Sequence, residues 1–118
     1  MRVCARSTIQ KMWDQTQRSA RWKAMMEAMG CVVEPTIPPR IQFRRDMTTT
    51  LMAAHYRVGG DSLLLTINRT WYLKASKADI RSVVRHEMVH FALARNKKPD
   101  HHGPIFVKAC TMVHGDHK

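Results

Sequence analysis

The 118-residue chain has little cysteine, little acid and no long apolar run. Its three cysteines, Cys4, Cys31 and Cys110, are odd in number, far apart and without a C-x-x-C pair. That argues against a disulfide framework and a cysteine zinc ribbon, and leaves ordinary reduced thiols, mostly buried. No stretch nears the roughly 18–20 apolar residues of a membrane span, so no membrane association is expected. Met1 to Lys11 are polar and lack the apolar core of a secretory signal, which makes the cytoplasm the expected compartment. No repeat or low-complexity segment appears.

Acid is the scarcest class. Nine Asp and Glu stand against 20 Lys and Arg, a formal charge of +11 and a pI near 10.3. A balance of that kind favours a polyanionic partner, most often nucleic acid. The basic residues are spread along the chain rather than set against one apolar face, unlike a membrane-surface helix.

What is present fits one globular domain over residues 1–118. Apolar residues make up 44% and charged residues 25%, enough for a real core at this length. From Ser7 to Met29, Ile9, Met12, Trp13, Trp22, Met25, Met26 and Met29 recur at spacings of three and four, which predicts a core-facing helix stopped by Gly30. Pro35, Pro38 and Pro39 make a rigid connector. Arg40–Arg45, Leu51–Val58 and Ser62–Asn68 read as strands, with a hairpin turn at Gly59-Gly60-Asp61, and predict a three-stranded antiparallel sheet. Ser76 caps a further helix, with Ile80, Val83, Val84, Met88 and Phe91 at helical spacing to about Arg95. Gly103-Pro104 opens the last helix, whose apolar positions are Ile105, Phe106, Cys110 and Val113. The order predicts an α+β fold.

The third of these helices carries the chemistry. It reads His86-Glu87-Met88-Val89-His90, the H-E-x-x-H pattern. Residues four apart share a helix face, so the two imidazoles can bind one zinc ion at about 2.0–2.1 Å each. Glu87 sits about 100° round the helix. There it borders the same cleft and can take a proton from zinc-bound water, whose pKa the metal lowers to about 7. A shuffled chain with seven His and three Glu shows the pattern about once in a hundred. The apolar neighbours place the helix in the core, where unpaired His and Glu would be costly.

Catalytic zinc takes three protein ligands and a water. The extended pattern with a Gly and a third His fails, because Leu93 and Asn96 occupy those positions. Glu87 is the last glutamate, so a downstream Glu ligand is absent. Asp100, His101, His102, His114, Asp116 and His117 remain. His102 is the choice, because it stands immediately before Gly103-Pro104, where a loop enters a helix.

His86-Glu87-Met88-Val89-His90-Phe91-Ala92-Leu93, followed by His102-Gly103-Pro104-Ile105-Phe106, resembles the SprT/Spartan family of zinc metallopeptidases. Ala54-His55-Tyr56-Arg57 and Leu65-Thr66-Ile67-Asn68 resemble the two strands that precede that family's active-site helix. The resemblance covers about residues 7–113 of the sequence. It implies a minimal zincin-like domain, with one zinc on His86, His90 and His102 and Glu87 as general base. It also implies proteolysis of proteins crosslinked to DNA. Many relatives carry a C-terminal zinc ribbon; none is read here, so the domain's own surface is expected to meet DNA, single-stranded DNA included. Ile105 stands where relatives often have Glu.

The expected function is a DNA-associated zinc endopeptidase acting on DNA-bound protein, monomeric, in the cytoplasm at the nucleoid. The alternative is a basic DNA-binding module with a structural zinc. Candidate DNA contacts are Arg44, Arg45 and Arg57 on the strands and Lys97 and Lys98 before the third ligand. Trp71 and Tyr72 could stack a base, but packing against the active-site helix is the favoured reading.

Overall fold

In a computed structural model, which describes residues 4–32, 37–56, 63–98 and 102–114, the N-terminal apolar stripe is broken at Ser19. Helix α1 covers Cys4–Gln17 and α2 covers Ala20–Ala28, so the one helix expected from Ser7 to Met29 is two. Ser19 is extended, and its Oγ accepts from the Trp22 N–H and donates to the Thr16 carbonyl. A hydroxyl bonded to nearby backbone competes with helix continuation, and here it ends one helix and caps the next. The stripe itself is core: Ile9, Met12, Trp13, Trp22, Met25 and Met26 are buried. Gly30, at φ +69°, closes α2 in the left-handed conformation, with the Cys31 N–H on the Met26 carbonyl. Cys31 and Cys110 are buried thiols; the Cys4 side chain lies outside the described residues.

Strands β1 (Arg40–Arg44), β2 (Met52–Tyr56) and β3 (Leu63–Asn68) form one sheet in the order β1-β3-β2. It is mixed, not antiparallel throughout. β2 runs antiparallel to β3 with Ala54 opposite Leu65, whereas β1 runs parallel to β3 with Ile41 opposite Leu65. The reason lies in the connection between β1 and β2. It crosses the end of β3, held there by Asn68, whose Nδ2 donates to the Met47 and Thr50 carbonyls and whose backbone N–H donates to Leu51. The expected turn at Gly59-Gly60-Asp61 lies outside the described residues.

Asn68 also starts α3 (Arg69–Lys74), a short helix that patterning did not predict: its Oδ1 accepts from the Trp71 N–H. Helix α4 (Lys77–Arg95) begins as expected, with Ser76 Oγ accepting from Asp79 N–H. It is the central element, packed on α1, on β2 and on α5 (Pro104–Val113). The Trp13 and Phe91 rings join α1 to α4 at 5.9 Å. α4 ends with Lys97 left-handed at φ 57° and the Lys98 N–H on the Leu93 carbonyl. α5 opens on Pro104 and buries Phe106, Ala109, Cys110 and Val113 against α2 and α4. Ile105, expected in its apolar face, is 43% exposed because it lies to the side of that buried stripe. The architecture is therefore α+β, with five helices and a three-stranded sheet among the described residues. Among the described residues no helix is long and apolar enough to cross a membrane.

Asn68 is buried and serves three partners at once, so its loss should be felt globally. Asn68→Ala is expected to lower unfolding free energy by about 2–4 kcal/mol in urea titrations. Asn68→Asp, which keeps the capping oxygen, should fall between it and wild type. A loss under about 1 kcal/mol for the alanine variant would contradict this role.

Candidate metal centre

Helical geometry brings the first two histidines together. His86 and His90 are half-buried on adjacent turns of α4, with ring centroids 4.9 Å apart. The third, His102, stands just ahead of α5, where Gly103 caps and Pro104 fixes the first turn. Its ring lies 5.0 Å from His86 and 4.9 Å from His90, so the three centroids form a nearly equilateral triangle. One nitrogen from each lies within 4.8 Å of the other two, and the Nε2 atoms of His90 and His102 approach to 2.9 Å. Two nitrogens bound to a tetrahedral ion at 2.0–2.1 Å stand about 3.3 Å apart. The cluster is therefore the right size and chemistry for zinc: three imidazoles, with no carboxylate or thiolate in the group.

Phe106 is the floor of the triangle. It is fully buried, stacks on His90 at 4.2 Å and meets His86 and His102 edgewise or tilted at 5.0 and 4.9 Å. Its part in the site was not read from the sequence, although it follows His102 by four residues in a helix start. That spacing was the available signal.

Glu87 points to the sheet side of the same cleft. It is 7% exposed, and its carboxyl accepts a hydrogen bond from the Ala54 N–H of β2. That amide is available because β2 is an edge strand. Asn68 N–H bonds to Leu51 C=O, which makes 51:68, and by alternation 53:66 and 55:64, the hydrogen-bonded pairs with β3. Met52, Ala54 and Tyr56 therefore turn their backbone groups outward, toward α4. Burial pushes the Glu87 pKa up to about 7, and the Ala54 hydrogen bond offsets part of that rise. Its Oε2 lies 3.6 Å from His86 Nε2, beyond hydrogen-bond range. Thr50, Met52, Ala53, Ala54 and Tyr56 form one wall of an open cleft; His86, Glu87, His90 and His102 form the other.

The basic candidates are elsewhere. Arg44 is exposed and held at both ends by Asp46, Nε to Oδ1 at 2.9 Å and Nη2 to Oδ2 at 2.6 Å. Arg45, Lys97 and Lys98 are exposed, and none of these four residues lines the cleft. Lys98 lies toward the Gly30 end of α2. Arg57 is outside the described residues, as are Asp100, His101, Asp116 and His117. His114 is an exposed left-handed cap of α5 and is not in the histidine group. Trp71 and Tyr72 are half-buried against the core, and the Tyr72 ring packs on Phe43 of β1 rather than standing free to stack a base.

The family model described as SprT-like matches residues 36–117, more than half of the chain, from before β1 through α5 and including every residue of the cleft. No curated protein and no solved structure matches.

The buried carboxyl makes a prediction about metal-free protein. Folded Glu87 keeps its proton to about pH 7, whereas the unfolded chain releases it near 4.5. Burial of this group is then harmless below the unfolded value, and stability is lost as pH rises through the folded one. Glu87→Gln does not suffer that loss. After chelation, its stability advantage over wild type should grow between pH 5 and 8, to about 3 kcal/mol. A difference independent of pH would contradict the assignment.

Proposed function

The chain belongs to the SprT-like family, and on that footing we propose that it is a zinc-dependent endopeptidase acting on proteins held on DNA. His86, His90 and His102 would hold the metal. Zinc bound there supplies a Lewis acid for a peptide carbonyl and acidifies a water molecule. The observation that carries the reading is Glu87, a buried carboxyl beside the three histidines and tied to the edge of the sheet.

Each residue has a task that its position supports. Glu87 takes a proton from the attacking water at its free carboxylate oxygen and returns it to the leaving amine. The Ala54 N–H holds the other side of that carboxyl and keeps it aimed into the cleft. Met52, Ala54 and Tyr56 face the histidines along an open strand edge, and an extended polypeptide can lie beside them as a further strand. This favours a polypeptide over a compact small molecule as substrate. Phe106 packs beneath the imidazoles and limits their rotation. The association with DNA rests on the charge of +11.

Glu87→Gln should retain one zinc per chain and lose at least about a hundredfold in cleavage of an unfolded test protein, the usual scale for a general base. His102→Ala should lose the zinc as well. Cleavage that survived Glu87→Gln, or a wild type that bound zinc and cleaved nothing, would overturn the peptidase reading. The second result would leave zinc as a structural clip.

A further inference from the structure

Helix α4 has a second polar face, and nothing in the metal centre uses it. Lys77, Arg81 and Arg85 follow one another at intervals of four, so they form one stripe. The stripe lies about 100–180° round the helix from His86 and His90. It continues toward the N-terminus the line of Met88, Ala92 and Arg95, which faces Trp22 and Met26 of α2 across a small cavity. Arg21, the residue before Trp22, comes close enough for its charge, with that of Arg81, to act on Arg85.

Three local rules are broken at this one place. Like charges at four-residue spacing repel. Lys77, in the first turn, opposes the helix dipole. The Arg85 Nε is buried and has no hydrogen-bond partner among the described residues. No described acid forms an ion pair with these cations. Asp14 pairs with Arg18, Asp46 with Arg44, and Glu87 is in the cleft. No side-chain hydrogen bond or ion pair joins Arg21, Arg81 or Arg85 to any described residue. Broken local rules concentrated in one place mark functional sites. Among the described residues, no oxyanion partners these guanidiniums.

We infer that Arg21, Arg81 and Arg85, with Lys77 beside them, bind backbone phosphates of nucleic acid on the face of α4 turned away from the histidines. The inference rests on the DNA association proposed above and relocates its contacts. Arginine offers planar, bidentate donors to phosphate oxygens, and a phosphodiester chain presents such groups in series. The overall positive charge favours that polyanion over a single acidic side chain. Because the stripe and the cleft occupy different sides of one helix, DNA and a polypeptide can be bound together.

The test is salt-dependent binding of a labelled mixed-sequence duplex to wild type, Arg21→Gln/Arg81→Gln and Arg44→Gln/Arg45→Gln. The last removes the same two charges where Asp46 already engages Arg44. The first variant should bind about ten- to a hundredfold more weakly at about 0.1 M salt, and its slope of log K against log salt should fall by about two. The second should change the slope by less than about one. Zinc content should be unaltered, and thermal unfolding of Arg21→Gln/Arg81→Gln should not come earlier, since the variant removes repulsion rather than a bond. Equal slope changes in both variants would reduce the effect to net charge and overturn the site, as would no change in either. Binding of polyglutamate in place of the duplex, lost in Arg21→Gln/Arg81→Gln, would overturn nucleic acid as the ligand. A wild type that cleaves protein with zinc yet binds no DNA would overturn this inference and leave the peptidase reading standing.

Discussion

The hydrogen bond from the Ala54 N–H to the Glu87 carboxyl ties the central helix to the open edge of the sheet. It exists only because β2 is an edge strand whose outward amides have no neighbouring strand. The sheet order β1-β3-β2 is therefore part of the site. Had β2 been interior, Ala54 would have been occupied and Glu87 would be buried without that donor. α4 packs against β2, with the Tyr56 ring edge-on to Phe91, and His86 and His90 face the strand edge across an open cleft. The carboxyl remains poorly solvated even so, and burial holds its pKa near 7.

The third histidine depends on a different part of the fold. His102 is exposed and comes from a loop, so its position is inherited from the start of α5. Gly103 and Pro104 set the entry into that helix, and Phe106 anchors it beneath all three imidazoles. α5 in turn lies on α2, which is why the N-terminal helices matter to a centre they do not touch. α4 thus has two polar sides: one carries the histidines and Glu87, the other a row of cations beside α2 that no described acid pairs.

Much of this was legible in the sequence, and the failures have physical causes. The H-E-x-x-H spacing located two histidines and a glutamate on one helix, and Ser76 and Arg95 bounded it. His102 could be singled out from the entry at Gly103-Pro104. The break at Ser19 went unread because periodicity across two packed helices looks like one stripe; the serine's capping chemistry was the overlooked signal. The parallel pairing of β1 was not legible, since local patterning carries no information about which strands become neighbours, and it depends on Asn68 holding a crossing loop. α3 is six residues long and starts on the same asparagine, too short for a periodic pattern. Basic candidates were taken from the strands and from the loop before His102, whereas the cluster of Arg21, Arg81 and Arg85 is assembled from two helices.

The central claim is that three imidazoles, and no thiol or carboxylate, hold one zinc ion. X-ray absorption at the zinc edge of the loaded protein tests it directly. The account predicts three nitrogens at about 2.0–2.1 Å, with imidazole outer-shell scattering and one further light atom. A sulfur at about 2.3 Å, or a spectrum of hexahydrated zinc, would contradict it.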